Sequence, residues 1–174
     1  MLILGIDPGT ATTGWGVLNA EGTNGKTKFA IRQFGCILTD KEREIQYRLL
    51  SIKEGITKLL VDYKPEIMSV EQIFFGVNSR TAIAVGQAIG AIYLAAAEKH
   101  VPIVGYTGLT MKLMVGGHGR ADKQQVQEGV LKLLKLKELP IPKSQAGKEI
   151  FRFRDDAYDA IALAMCHVLK SQQT

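Results

Sequence analysis

Two short apolar runs, Leu2-Ile3-Leu4-Gly5-Ile6-Asp7 and Ile67-Met68-Ser69-Val70-Glu71, each end in an acid, and a long amphipathic stretch lies between them. That arrangement restricts the fold more than any other feature. Ile45, Leu49, Ile52, Ile56, Leu59, Leu60 and Tyr63 recur at three- and four-residue steps, which predicts a helix over 42–64 that Pro65 closes. A helical crossover of that length allows the strands on either side of it to run parallel. Pro8-Gly9 turns the chain after the first run. Runs at 15–18 and 29–38, with Gly22, Asn24 and Gly25 between them, predict a hairpin beside it. Further on, the pattern gives a long helix over 78–99, capped by Asn78 or Ser79, and a strand over 101–106. Short helices follow over 109–115 and 122–136, on either side of a flexible Gly116-Gly117-His118-Gly119 loop, with a last helix over 156–170. The order β-β-β-α-β-α-β-α-α-α is that of an α/β protein, a five-stranded mixed sheet with helices on both faces.

The 174 residues amount to about one domain, and no linker with a core on each side interrupts them. Residues 1–174 therefore read as a single domain, with 137–154 a basic insertion loop. Hydrophobic residues at 46% and charged ones at 22% exclude a disordered chain and a coiled coil. No apolar run reaches the roughly 18 residues that a membrane span needs. The first residues lack a basic segment before Asp7, so no signal peptide is expected and a cytoplasmic location is. Cys36 and Cys166 form no metal-ligand spacing and read as reduced, buried small hydrophobes. The net charge is +5, from 22 basic and 17 acidic residues. Residues 112–154 hold ten Lys/Arg and four Asp/Glu, which leaves twelve and thirteen for the rest of the chain. The whole excess sits in one stretch. It is either an electrostatic footprint for a polyanion or a solvated basic surface.

Asp7 and Glu71 end strands that, as neighbours, would lie side by side at the carboxyl edge of the sheet, where open α/β sheets place their sites. Asp156 and Asp159, three apart, share one helix face, although Asp155 and Asp159, four apart, share one equally well. Carboxylates gathered this closely repel one another unless cations neutralise them. Their hard oxygens suit Mg²⁺ or Mn²⁺ rather than zinc, and two such ions can activate a water and stabilise a leaving oxygen in phosphoryl transfer. Next to a basic stretch, that chemistry is a nuclease's. Each acid also has an ordinary structural reading: Asp7 as a turn brace, Glu71 as a surface residue, and the aspartates as favourable charges at a helix N-terminus.

At these residues the chain resembles a known family. Gly5-Ile6-Asp7-Pro8-Gly9-Thr10 with Thr13-Gly14-Trp15-Gly16-Val17 looks like the opening of the RuvC Holliday-junction resolvases. Val70-Glu71-Gln72-Ile73-Phe74-Phe75 is similar to their second motif and Gly86-Gln87-Ala88-Ile89-Gly90 to their central helix. Ala121-Asp122-Lys123-Gln124-Gln125-Val126 resembles their basic segment, and Asp156-Ala157-Tyr158-Asp159-Ala160-Ile161-Ala162-Leu163-Ala164 their last motif. The resemblance implies a ribonuclease-H-like fold and a homodimer. It implies cleavage of four-way DNA junctions by paired symmetric nicks, with Mg²⁺ or Mn²⁺ and two ions per site, in recombination and repair. The branch-migration proteins RuvA and RuvB are its implied partners. It selects Asp7, Glu71, Asp156 and Asp159 as catalytic, metal-holding acids and leaves Asp155 as a helix cap or an outer acid. The stretch 137–154 is longer than the family pattern, and the last helix lacks an extended tail.

The resemblance also points to DNA-contacting residues. Phe74 corresponds to an aromatic that stacks on unpaired bases, whereas two adjacent Phe residues are ordinarily core. Lys112 and Lys123 correspond to basic positions near the DNA, and Lys123 to one near the metal site. Arg80 and Arg120 are phosphate-contact candidates, and His118 lies on the same loop as Arg120. His100 and His167 read as structural. Gly86, Ala88, Gly90 and Ala91 make the long helix small-sided, for packing within the chain or against a second copy. The alternatives are a ribonuclease-H-like nuclease on other branched DNA or RNA, and a non-catalytic junction-binding module that would not need all four acids. Asp-x-Gly-Thr also opens the phosphate loop of actin-like ATPases, which need a second such domain.

Overall fold

The computed structural model describes residues 1–23, 26–72, 79–141, 143–144, 147–148 and 154–173. Three strands, β1 (Leu2–Asp7), β2 (Thr12–Thr23) and β3 (Lys26–Leu38), form an antiparallel meander. Helix α1 (Ile45–Tyr63) then crosses over, and β4 (Ile67–Gln72) pairs parallel to β1. A second crossover, α2 (Ser79–Glu98), places β5 (Ile103–Thr107) parallel to β4. Helices α3 (Gly108–Gly116), α4 (Lys123–Leu134) and α5 (Arg154–Ser171) complete the chain.

The expected five strands are present, and the sheet has one more. Lys143–Ser144, here β6, pairs parallel to Gly35 and Cys36 at the edge, giving the order β5-β4-β1-β2-β3-β6. The stretch read as an insertion loop is thus stitched to the sheet at Lys143–Ser144. The hairpin strands also run longer than their apolar centres, with Thr23 still opposite Lys26. Cross-strand pairing carries the ladder through polar residues that hydropathy alone leaves out.

Strand alternation divides the interior in two. Leu4, Ile6, Trp15, Val17, Met68 and Val70 face α1 and α2, where Ile52, Ile56, Leu60, Ile92 and Ala96 complete one core. Ile3, Leu18 and Phe34 face the other way, into a core built from α3, α4 and α5. Most of α5 is buried, with Ala160 through Cys166 fully covered. Gly5, Gly14 and Gly16 let it lie on the sheet: a Cβ at these positions would strike Ala160, Asp156 and Ile161 in turn. Ser69 fixes its height, donating from Oγ to the Leu163 carbonyl at 2.8 Å within the core. The N-terminus of α4 is set by a capping box, with the Asp122 carboxylate accepting from Gln125 N and the Gln125 side chain accepting from Asp122 N. No helix among the described residues is long and apolar enough to cross a membrane.

Candidate active site

Ile6 lies opposite Val70, so one step further Asp7 and Glu71 come level at the carboxyl ends of β1 and β4. Alternation turns both toward α5, since Gly5 and Ser69, two residues earlier, already meet it. Asp7 is also opposite Gly14, and the missing side chain there admits the Asp156 backbone and its Cβ, 3.0 Å from where a Gly14 Cβ would stand. Asp156 lies in the first turn of the last helix and Asp159 follows on the same face, so three separate segments bring four acids to one edge. Gly108, at the start of α3, closes a further side: a Cβ on it would lie 2.9 Å from Glu71 Oε1.

The electrostatics are those of crowded, partly buried carboxylates. The Asp7 carboxyl is held well above the usual range, by burial first and then by the charges of Glu71, Asp159 and Asp156. A side-chain hydrogen bond with Glu71 raises it further. Burial raises Glu71 too, against that hydrogen bond and the nearby Lys112 ammonium, which lower it. Asp159 is pushed up to about 6, chiefly by burial, with Lys123 opposing and Glu71, Asp156 and Asp155 adding. Asp156 rises for the same leading reason, and Lys123 again opposes. Burial leads at all four acids, and neighbouring carboxylate charges add to it at Asp7, Asp156 and Asp159. Among the described residues, no three His, Cys, Asp or Glu side chains converge as a ready-made cage. The donor set, all carboxylate oxygen, fits a hard divalent cation.

The remaining candidates divide. Lys112, half-buried on α3, acts on Glu71. Lys123 opens α4 and pairs with Asp155 at 3.4 Å, its charge reaching Asp159 and Asp156. Arg120 and His118 are exposed on the loop between α3 and α4. Arg80 falls in the first turn of α2, with its side chain outside the described residues, and Phe74, Phe75 and Asn78 lie outside them altogether. Asp155 sits inside the first turn of α5 and is not its cap; it accepts from Gln127 Nε2 at 2.9 Å as well as from Lys123. His167 keeps a structural part, its Nδ1 2.9 Å from the Tyr106 hydroxyl.

Sequence reading missed two neighbours. Cys36 is fully buried, and its thiol is pushed up to about 12 by burial, then by Asp156 and Asp7. Gln127 anchors Asp155. Neither carries a motif: Cys36 arrives through its pairing with Gly14, and Gln127 through the packing of α4 on α5.

An α/β sheet with carboxylates at its carboxyl edge, flanked by lysines, defines a class, the ribonuclease-H-like nucleases that depend on divalent cations. Residues 3–167 match the family described as "Crossover junction endodeoxyribonuclease RuvC". A relative of that name from Moorella thermoacetica is 46% identical over 167 residues, 96% of this chain and 90% of its own. The solved structure titled "Thermus thermophilus RuvC structure" superposes with a TM-score of 0.84 at 31% identity, covering 99% of this chain and 96% of that one. A second, "T. thermophilus RuvC in complex with Holliday junction substrate", gives 0.83 at 30% identity over the same shares. The chain belongs to the RuvC family of crossover junction endodeoxyribonucleases.

Proposed function

We propose that Asp7, Glu71, Asp156 and Asp159 hold two Mg²⁺ or Mn²⁺ ions, and that the protein resolves four-way DNA junctions by nicking two strands of like polarity. The observation that carries this reading is the meeting of four carboxylates, from three segments, at one sheet edge, where burial and mutual repulsion already favour a bound positive charge. When bound, such ions supply activation of a water and stabilisation of the leaving oxygen. The chain's own part is to aim the acids, through the glycine bed under α5 and the Ser69 hydrogen bond, while the Lys112 ammonium partly offsets the effect of burial on Glu71. Lys123 places an ammonium beside Asp156 and Asp159, where charge develops on the scissile phosphate. Lys112, Arg120 and Arg80 contact phosphates, which position the duplex without reading its sequence. Phe74 stacks on an unpaired base at the crossover.

The junction has near two-fold symmetry, and a homodimer would offer it two such sites. The exposed face of α2 supports that reading. Gly86 and Gly90 have open space above them, and Ile83 and Leu94 on the same face are 59% and 55% exposed. Residues 1–174 act as one nuclease domain in the cytoplasm, and family membership alone supports RuvA and RuvB as partners.

The test is cleavage of a synthetic four-way junction beside linear duplex and a three-way branch, with Mg²⁺, Mn²⁺ or EDTA. Paired nicks on the four-way junction, lost with EDTA and in Asp7→Asn, are expected. Binding without cleavage under every metal condition, or equal cutting of the duplex, would overturn the proposal.

A further inference from the structure

Asp155 is the acid next to the cluster that the proposed chemistry does not use, and its contacts give it a separate task. Lys123 and Gln127 stand four apart at the start of α4, so their side chains share a face. Where that helix begins is fixed by the Asp122–Gln125 capping box. Opposite them, Asp155 receives Gln127 Nε2 on Oδ1 at 2.9 Å and Lys123 Nζ on Oδ2 at 3.4 Å. Each carboxylate oxygen is thus engaged by α4. The charge of Asp155 reaches Asp156 and Asp159, whereas those that act on Asp7 are Glu71, Asp159 and Asp156. The Lys123 ammonium, in turn, feels Asp155 first and then Asp159 and Asp156.

From this geometry we infer that Asp155 is a positioning residue: anchored by Gln127, it aims the Lys123 ammonium at the Asp156–Asp159 pair, and it holds neither cation nor DNA itself. The inference rests on the assignment of those acids to the active site. Stability is not its purpose, because the pair is open to solvent, with Lys123 71% and Asp155 51% exposed, and such ion pairs add little. Orientation is. A lysine has a long, freely rotating stem, and a carboxylate already fixed by Gln127 removes part of that freedom before substrate arrives.

A double-mutant cycle on the four-way junction with Mg²⁺ tests the idea. Asp155→Ala is expected to lower kcat about fivefold, within the range that residues of one network show. KM should stay level or fall, because a negative charge beside a polyanion has gone, and the melting temperature should hold. In a Lys123→Ala background the same substitution should change kcat less than about twofold. Asp155→Asn keeps an acceptor for Gln127 and should recover part of the loss. Independent multiplication of the two effects would overturn the inference, as would complete loss of cleavage in Asp155→Ala together with loss of stabilisation by Mg²⁺, which would make Asp155 a ligand. A second readout needs no cleavage. Acylation of Lys123 by an amine reagent, followed by mass spectrometry, should rise about twofold in Asp155→Ala as the ammonium loses its partner, with Lys132 unchanged. An unaltered rate at Lys123 would sink the positioning role even if the protein cut nothing, whereas a wild type that fails to cut would count against the proposed function alone.

Discussion

Gly14 shows how one missing side chain assembles a site. It lies between Asp7 on β1 and Cys36 on β3, and the space where its Cβ would stand is filled by Asp156. Gly14→Ala must push the start of α5 off the sheet, since its nearest obstacle is backbone that cannot rotate away. We expect it to destabilise the fold by about 1–3 kcal/mol, as overpacking usually does, and to abolish junction cleavage by displacing Asp156. Gly22→Ala on the same strand is the control: its Cβ meets only the end of Gln172, at 3.9 Å, so urea unfolding should move by less than about 0.5 kcal/mol. If Gly14→Ala unfolds at the wild-type urea concentration and cuts normally, the glycine bed is not what seats Asp156. The four acids themselves could be read from the chain, because each ends a strand or opens a helix at a recognisable spacing. Cys36 and the task of Gly14 could not. They depend on the register between three strands, and β3 slips by one residue at Val17/Leu18. A one-residue slip reverses which side chains face the site, and nothing in the hydropathy of either strand announces it.

At the scale of elements, sequence punctuation placed most boundaries within a few residues. The α4 start expected at 122 falls at Lys123, where the structure adds a capping box of Asp122 and Gln125. The two-residue β6 escaped because it is held by main-chain pairing to β3 and carries no pattern of its own. Helix α2 is the element whose composition and setting disagree most. Ala88, Ile92, Ala95 and Ala96 are buried, as a crossover helix requires, yet among the described residues nothing meets the open sides of Gly86 and Gly90. Packing among the described residues therefore does not explain the two glycines, although each weakens the helix by up to about 1 kcal/mol relative to alanine. If a second copy docks there, Gly90→Arg should convert a dimer to a monomer in light scattering, with helical circular dichroism retained. Cleavage should then pass from paired to single nicks. A wild type that is already monomeric at assay concentration, or a variant that still dimerises, would remove α2 as the interface.

Over the whole molecule, the acid cluster works against folding when no cation is present, and pH sets by how much. Asp7, Glu71, Asp156 and Asp159 all take up protons more readily in the fold than free carboxyls do. A folded state that binds more protons than the unfolded chain loses stability as pH rises. For Asp159 the window runs from the ordinary carboxylate range near pH 4 up to about 6: below it the group carries no penalty, and above it the full one. In EDTA, the melting temperature of the wild type relative to Asp159→Asn should therefore be highest near pH 4 and fall as pH approaches 7. The comparison with the variant matters, because the other acids of a chain with net charge +5 titrate over the same range. Mg²⁺ should act in the opposite sense. It stabilises by binding the folded form, so its effect should be large at pH 7.5 and shrink toward pH 5, where protons compete for the same oxygens. In Asp7→Asn the Mg²⁺ shift should fall sharply, while the metal-free melting temperature at pH 7.5 should rise above that of the wild type, because a buried, repelled carboxyl is gone. A metal-free Asp7→Asn less stable than wild type at that pH would mean that the hydrogen bond between Asp7 and Glu71 holds the edge of the sheet together, and that their repulsion is a minor effect.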